Sequence, residues 1–198
     1  MANANNADNV GVGSPAADGA IWIADEGTAV PDDLMAALPE TYSPFGYVSD
    51  DGVTISEDGD SNELTAWGGK TVKVIKTKFK ETVAFTPIEI NETVLREQYG
   101  KDNVATSTKT DTTKSKTYKV IVAKHKGVTL PNKVLIIKTC PTDIMMVVYV
   151  AKRAQLTERG DLSLNGSDAQ GREMTYTCNA DDDSTTITSY TYILQEGA

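Results

Sequence analysis

Residues 45–104 read FGYVSDDGVTISEDGDSNELTAWGGKTVKVIKTKFKETVAFTPIEINETVLREQYGKDNV and join two strand-like runs to one short capped helix. Apolar and polar residues alternate over 46–49 and 52–56, which predicts two short strands, or one strand broken by Asp50-Asp51-Gly52. Val72 and Val74 are apolar at even positions, whereas Ile75, Phe79, Val83 and Phe85 are apolar at odd ones. Because strand side chains alternate with period two, this change of phase predicts a bulge near Val74 and Ile75. Between the runs, residues 57–69 form an acidic, glycine-punctuated segment too long for a tight turn and ending in Ala66-Trp67-Gly68-Gly69. It reads as a loop suited to contact with a partner. Trp67 either anchors that contact or folds back onto its own domain. Lys76, Lys78 and Lys80 share one face, where a lysine row either guards a solvated edge or meets acidic residues of a neighbouring copy.

Residues 91–100 carry the clearest helix signal. Asn91 can cap the first turn, Glu92 can pair with Arg96 one turn on, and Gly100 can close the last turn. Val94, Leu95 and Tyr99 would form its buried face. A second, shorter helix is expected over 31–39, with Pro31 and two aspartates at its start and Pro39 at its end. Residues 20–24 can pair as a strand, and 105–116 (ATSTKTDTTKSK) read as a polar, low-complexity loop. Five further strands are expected at 118–124, 133–140, 144–150, 173–178 and 185–194, separated by turn residues. The 144–150 run is apolar on both faces, as a central strand would be. The fold class is therefore mainly β: a β-sandwich or barrel with one flanking short α-helix, a long inter-strand loop and an extended terminal arm. Residues 1–19, small and polar, read as a flexible N-terminal arm, and 20–198 as a single domain.

Charge is distributed unevenly. Residues 1–69 hold 13 acidic and no basic groups, 70–159 carry a net charge of +10, and 160–198 one of −6. Either these are solvated faces, or acidic and basic surfaces draw copies of the chain together head to tail. A net charge of −9 argues against tight binding to nucleic acid, because the phosphate term has the wrong sign. No apolar run is long enough to cross a bilayer as a helix, so membrane insertion is not expected. The opening MANANNADNVGVGSP has neither the basic flank nor the apolar core of a secretory signal. Cys140 and Cys178, each inside an apolar run, are expected as buried free thiols.

Residues that could carry chemistry do not combine. His125 is the only histidine, with no nucleophile motif placed to use it. Asp58-Gly59-Asp60-Ser61-Asn62 imitates the opening of a calcium loop, but Glu63 stands where the turn needs glycine and Gly69 where a bidentate acid is required. Asp181-Asp182-Asp183 reads as a solvated turn, and Arg159-Gly160-Asp161 as a chance tripeptide. No catalytic residue, metal or cofactor is expected.

Gly46-Tyr47-Val48-Ser49 with Asp51-Gly52-Val53-Thr54, Ala66-Trp67-Gly68-Gly69, the strand with Phe85-Thr86, and Val94-Leu95 to Tyr99-Gly100 followed by Asn103-Val104 carry a resemblance. With Asp168-Ala169-Gln170-Gly171-Arg172-Glu173-Met174-Thr175-Tyr176 they cover about half the chain. In order and spacing these segments resemble the major tail protein, or tail tube protein, of long non-contractile-tailed (siphovirus-type) bacteriophages. The resemblance implies a tail-tube β-sandwich, six copies of which form a ring whose inner strands close into a continuous barrel. Rings would stack head to tail into a hollow tube around a tape measure protein, joined at its ends by tail terminator and distal tail proteins. Double-stranded DNA would pass through without sequence-specific binding, into a host. The subunit would reside in the virion tail, and in host cytoplasm during assembly. The long loop and terminal arm would bind neighbouring subunits and rings, making Glu57, Asp58, Asp60, Glu63, Leu64, Trp67, Gly68, Gly69, Lys76, Lys78 and Lys80 the candidate interface residues. The alternative of a different class is a monomeric β-sandwich module that binds carbohydrate or mediates adhesion.

Overall fold

The structure, a computed structural model, describes residues 10–194. Its strands are β1 (Ile21–Asp25), β2 (Ser43–Pro44), β3 (Val48–Asp58), β4 (Ser61–Thr65), β5 (Thr71–Lys76), β6 (Lys80–Pro87), β7 (Val104–Asp111), β8 (Lys116–Ala123), β9 (Lys133–Thr142), β10 (Met145–Arg159), β11 (Met174–Cys178) and β12 (Thr188–Ile193). One α-helix, α1 (Glu92–Tyr99), precedes a 3-10 turn at Lys101–Asn103. The main sheet is antiparallel, in the order β2-β1-β9-β10-β11-β6-β3, with β12 also on β10. β4–β5 and β7–β8 are separate two-stranded hairpins.

β10 shapes the body. Its first part, residues 145–150, pairs with β12, and its last part, 154–159, pairs with β11. Registers shift between Ala151 and Ala154 against β9, and between Leu156 and Glu158 against β11. Such irregularities bend a strand and raise its twist. The sheet consequently turns back, and residues from its two ends share one core. Ile21, Ile23, Leu135 and Ile137 of β1 and β9 are packed with Val83, Phe85, Met174, Tyr176 and Cys178 of β6 and β11. Phe45 fills the centre, edge-on to Phe85 (ring centroids 5.0 Å apart) and to Tyr176 (6.5 Å). The opposite face of β1, β9 and β10 presents Ala24, Val134, Ile136, Val148 and Val150 to Leu34 and Tyr42. β9 is buried on both faces because each face has its own cover.

α1 follows from its caps. The Asn91 side-chain oxygen accepts from the Val94 N–H at 2.9 Å, and its amide donates to the Phe45 carbonyl at 3.1 Å, tying the helix start to the core aromatic. Glu92 and Arg96 pair at 2.6 Å, and Gly100 leaves the helix at φ +88°. The buried face is Val94, Gln98 and Tyr99, with Leu95 only half-buried.

Three local expectations differ from the structure, and one open alternative is resolved by it. Residues 31–39 form turns without helix: the Asp33 carboxylate accepts from the N–H groups of Met35 (2.9 Å) and Ala36 (3.3 Å), and so few residues between two prolines do not repay helix nucleation. Of the two alternatives for 46–56 the structure has the single interrupted strand: the register of β3 shifts between Val48 and Val53, at Asp50-Asp51-Gly52. The long connection from β3 to β6 is mostly paired as β4–β5, and its irregularity lies opposite Leu64 and Thr65 instead of at Val74 and Ile75. Val72, Val74 and Ile75 are all exposed in β5, so the change of phase there reflects a strand with no buried face, and the buried odd-numbered set, Val83 and Phe85, belongs to β6. Finally, most of 105–116 is strand β7, closed by Asp111 accepting from the N–H groups of Thr113 and Lys114. Of the N-terminal arm, residues 1–9 lie outside the described residues. Residues 10–19 run along the end of β9, with Pro15 bridging Thr139, Ala16 donating to the Lys138 carbonyl and Cys140 donating to the Ser14 carbonyl.

Candidate assembly surface

The ladder from β3–β6 passes almost without interruption into β4–β5. At the junction the Asp60 N–H donates to the Lys78 carbonyl (3.3 Å), and the Thr77 N–H donates to the Asp60 carbonyl (2.8 Å). The result is a long arm that leaves the body beyond Asp58 and turns at residues 66–70, where Ala66 donates to the Lys70 carbonyl at 2.8 Å. Gly68 (φ +105°) and Gly69 (φ +85°) make that turn in backbone regions closed to most side chains. Every residue of β4 and β5 is exposed. Trp67, at the tip, is fully exposed, and Leu64 (56%), Val72 (58%) and Val74 (58%) lie exposed behind it.

Of the eleven sequence-predicted interface residues, eight fall on this arm and three, Glu57, Asp58 and Lys80, lie at its root in the main sheet. Glu57 and Asp58 end β3, Asp60 sits at the junction, Glu63 and Leu64 are in β4, and Trp67, Gly68 and Gly69 form the tip. Lys76 ends β5, Lys78 lies in the junction and Lys80 begins β6, so the lysines do not form a row on one strand. Lys76 reaches Glu57 at 3.2 Å and Lys78 reaches Asp58 at 3.0 Å. The Lys78 bond holds the Asp58 carboxyl below its ordinary range, and Asp58 in turn raises Lys78. These pairs brace the root of the arm. The tip lysines, Lys70 and Lys73, have no ion pair among the described residues. Trp67 does not fold back onto the body.

Two surfaces were not legible from the sequence. β7–β8 is a second exposed hairpin, attached beside α1 through Lys119 to Glu92 (2.9 Å). The other is a groove of about 1010 Å³ at the open mouth of the first core. Its apolar lining includes Val53 and Ile55 of β3 and Val147 and Tyr149 of β10, and its rim includes Ala17, Asp18, Asp50 and Glu89. Among the described residues, no lysine or arginine lines it. Four distant segments build this groove, so no local pattern announces it.

The reactive side chains are held in structural settings. Burial pushes the Cys178 thiol up to about 12, which keeps it protonated and unreactive. His125 stacks flat on Tyr99, with ring centroids 4.0 Å apart, and Arg159 donates to the Gln98 carbonyl at 2.6 Å. Lys138, wholly buried, donates to Asp18 (3.1 Å) and to the Ala36 carbonyl (2.8 Å), pinning the N-terminal segment to β9. Lys133 bridges Asp25 (2.7 Å) and Glu97 (3.1 Å), and burial raises the Glu97 carboxyl above its ordinary value.

The family described as phage tail tube protein matches the chain over residues 3–196. No curated protein sequence matches it. Among solved structures, the anti-feeding prophage cap, a tube-terminating cap, is 12% identical with a TM-score of 0.46, over 96% of this chain and 99% of that one. A chain from the sheath–tube complex of an extracellular contractile injection system in its extended state is 10% identical with a TM-score of 0.41, over 96% and 100%.

Proposed function

The chain belongs to the phage tail tube protein family, and on that premise we propose that it closes into hexameric rings that stack head to tail. It is a structural component of the virion tail. The observation that carries the finer reading is the arm: a two-stranded hairpin is marginal in water by itself, and this one ends in a fully exposed tryptophan. A neighbouring copy that covers Trp67, Leu64 and Val74 stabilises the arm as it binds. β3 and β12 each have one edge unpaired in the described structure, and pairing such edges around a closed ring removes an aggregation hazard. In this reading the eleven residues of the arm and its root make contacts between subunits and rings. The tube surrounds a tape measure protein, is bounded by terminator and distal tail proteins, and conducts double-stranded DNA into the host. Subunits wait in the host cytoplasm until assembly.

Concentrated or seeded protein is expected to form hollow rods visible by negative-stain microscopy. Trp67→Ala is expected to give a monomer with the wild-type circular dichroism spectrum and no rods. Wild-type protein that stays monomeric under seeding would overturn the tube reading. A Trp67→Ala variant that forms rods normally would remove the arm tip from it.

A further inference from the structure

We propose that the tip of the arm, led by Trp67, inserts into the groove between β3 and β10 of a second copy of this chain. This rests on the reading above that copies assemble, and it specifies which surface receives the arm. Three observations support it.

The first is position. The groove lies against β3 as far as Ile55, whereas Trp67 at the tip lies twelve residues of nearly continuous ladder beyond Ile55. At the usual rise per strand residue this separates them by roughly 40 Å. Because the intervening residues are paired on both sides of the junction, a chain cannot place its tip in its own groove without breaking that ladder. The contact is therefore heterologous: each copy offers a tip at one end and a groove at the other, and such contacts propagate.

The second is shape and polarity. The groove's volume of about 1010 Å³ suits a large aromatic with its neighbours, and its half-buried lining of Val53, Ile55, Val147 and Tyr149 leaves the mouth of the core incompletely covered. Trp67 is the largest side chain that the described structure leaves fully exposed. Aromatic anchors seated in preformed pockets dominate interface energies.

The third is charge. The groove's charged lining is Asp18, Asp50 and Glu89, all acidic; Asp18 is already paired with Lys138, whereas Asp50 and Glu89 have no ion-pair partner among the described residues. The tip carries Lys70 and Lys73, also without ion pairs there. A lysine-bearing tip entering an acid-rimmed groove satisfies both and orients the approach.

Cysteine cross-linking tests the contact in the full chain. In a Cys140→Ser background, Ala66→Cys places a thiol beside Trp67, and Ala17→Cys places one on the exposed groove rim. Mixing the two variants under mild oxidation is expected to give a disulfide-linked dimer, and a chain carrying both cysteines is expected to give a ladder of multimers. Adding Trp67→Ala is expected to reduce either yield at least tenfold, with Trp67→Phe restoring part of it. Rods without the mixed disulfide, or Ala66→Cys linking mainly to itself, would place the tip elsewhere and overturn the proposal. If wild-type protein forms no rods but the Trp67-dependent disulfide still appears in small oligomers, the contact stands and the tube reading fails. Neither rods nor disulfide would overturn both.

Discussion

At the scale of single residues, the most informative side chains join separate parts of the molecule. Asn91 caps α1 and also holds the Phe45 carbonyl, so Asn91→Ala is expected to lower unfolding stability by about 2 kcal/mol in urea titrations. Asn91→Asp, which keeps the capping acceptor but not the amide donor, should fall between. Cys178 gives a pH signature. Its folded thiol titrates near 12 against an ordinary 9.0, so the unfolded chain loses that proton first as pH rises. The sign follows from linkage: the contribution is complete below pH 9 and declines between 9 and 12. Cys178→Ala is therefore expected to lose less stability than wild type between pH 9 and 11, by about 2 kcal/mol in denaturant titrations at each pH.

At the scale of elements, the arm and the body are separable. Replacing residues 61–76 by a short Gly-Ser turn removes exposed strands and no core residue, so thermal unfolding is expected to shift by a few degrees at most while rod formation is lost. A cooperative collapse of the melt would mean that the arm supports the body. The contrast also explains what could be read in advance. α1 was legible because its cap, ion pair and closing glycine are local, and the β strands because their apolar residues alternate. Only one strand of each hairpin, β5 and β8, could be read; β4 and β7 could not, since strands exposed on both faces lack that contrast, and β7 is mostly threonine, lysine and serine, residues equally at home in a loop. The 31–39 helix signal was outweighed by Asp33 bonding to its own backbone. Of the candidate surface, the arm's residues were visible in one contiguous stretch, whereas the groove is a product of topology.

At the scale of the whole molecule, assembly sets a net charge of −9 against local complementarity. Repulsion between like net charges acts over about 30 Å at 0.01 M salt and about 10 Å at 0.1 M, while contact pairs are weakened only at higher salt. Rod formation followed by light scattering is therefore expected to be fastest at intermediate ionic strength. A steady rise with salt would mean that apolar burial alone drives it. The buried Lys138–Asp18 pair couples the N-terminal segment to the same surface: Asp18→Ala leaves a buried ammonium with one carbonyl partner and no countercharge, and should speed proteolysis around residues 10–19.

The strand order carries a consequence for the time course of folding. β1 pairs with β9, more than a hundred residues later, and β6 pairs with β11, whereas β4–β5 and β7–β8 close over short loops. Local hairpins form in microseconds, and sheets built from distant strands far more slowly. During synthesis, the arm is thus expected to be complete while β9 and β10, which wall the groove, are still unmade. A nascent subunit would be able to offer a contact before it can accept one, so two unfinished chains cannot pair with each other, and only a finished subunit can receive the next.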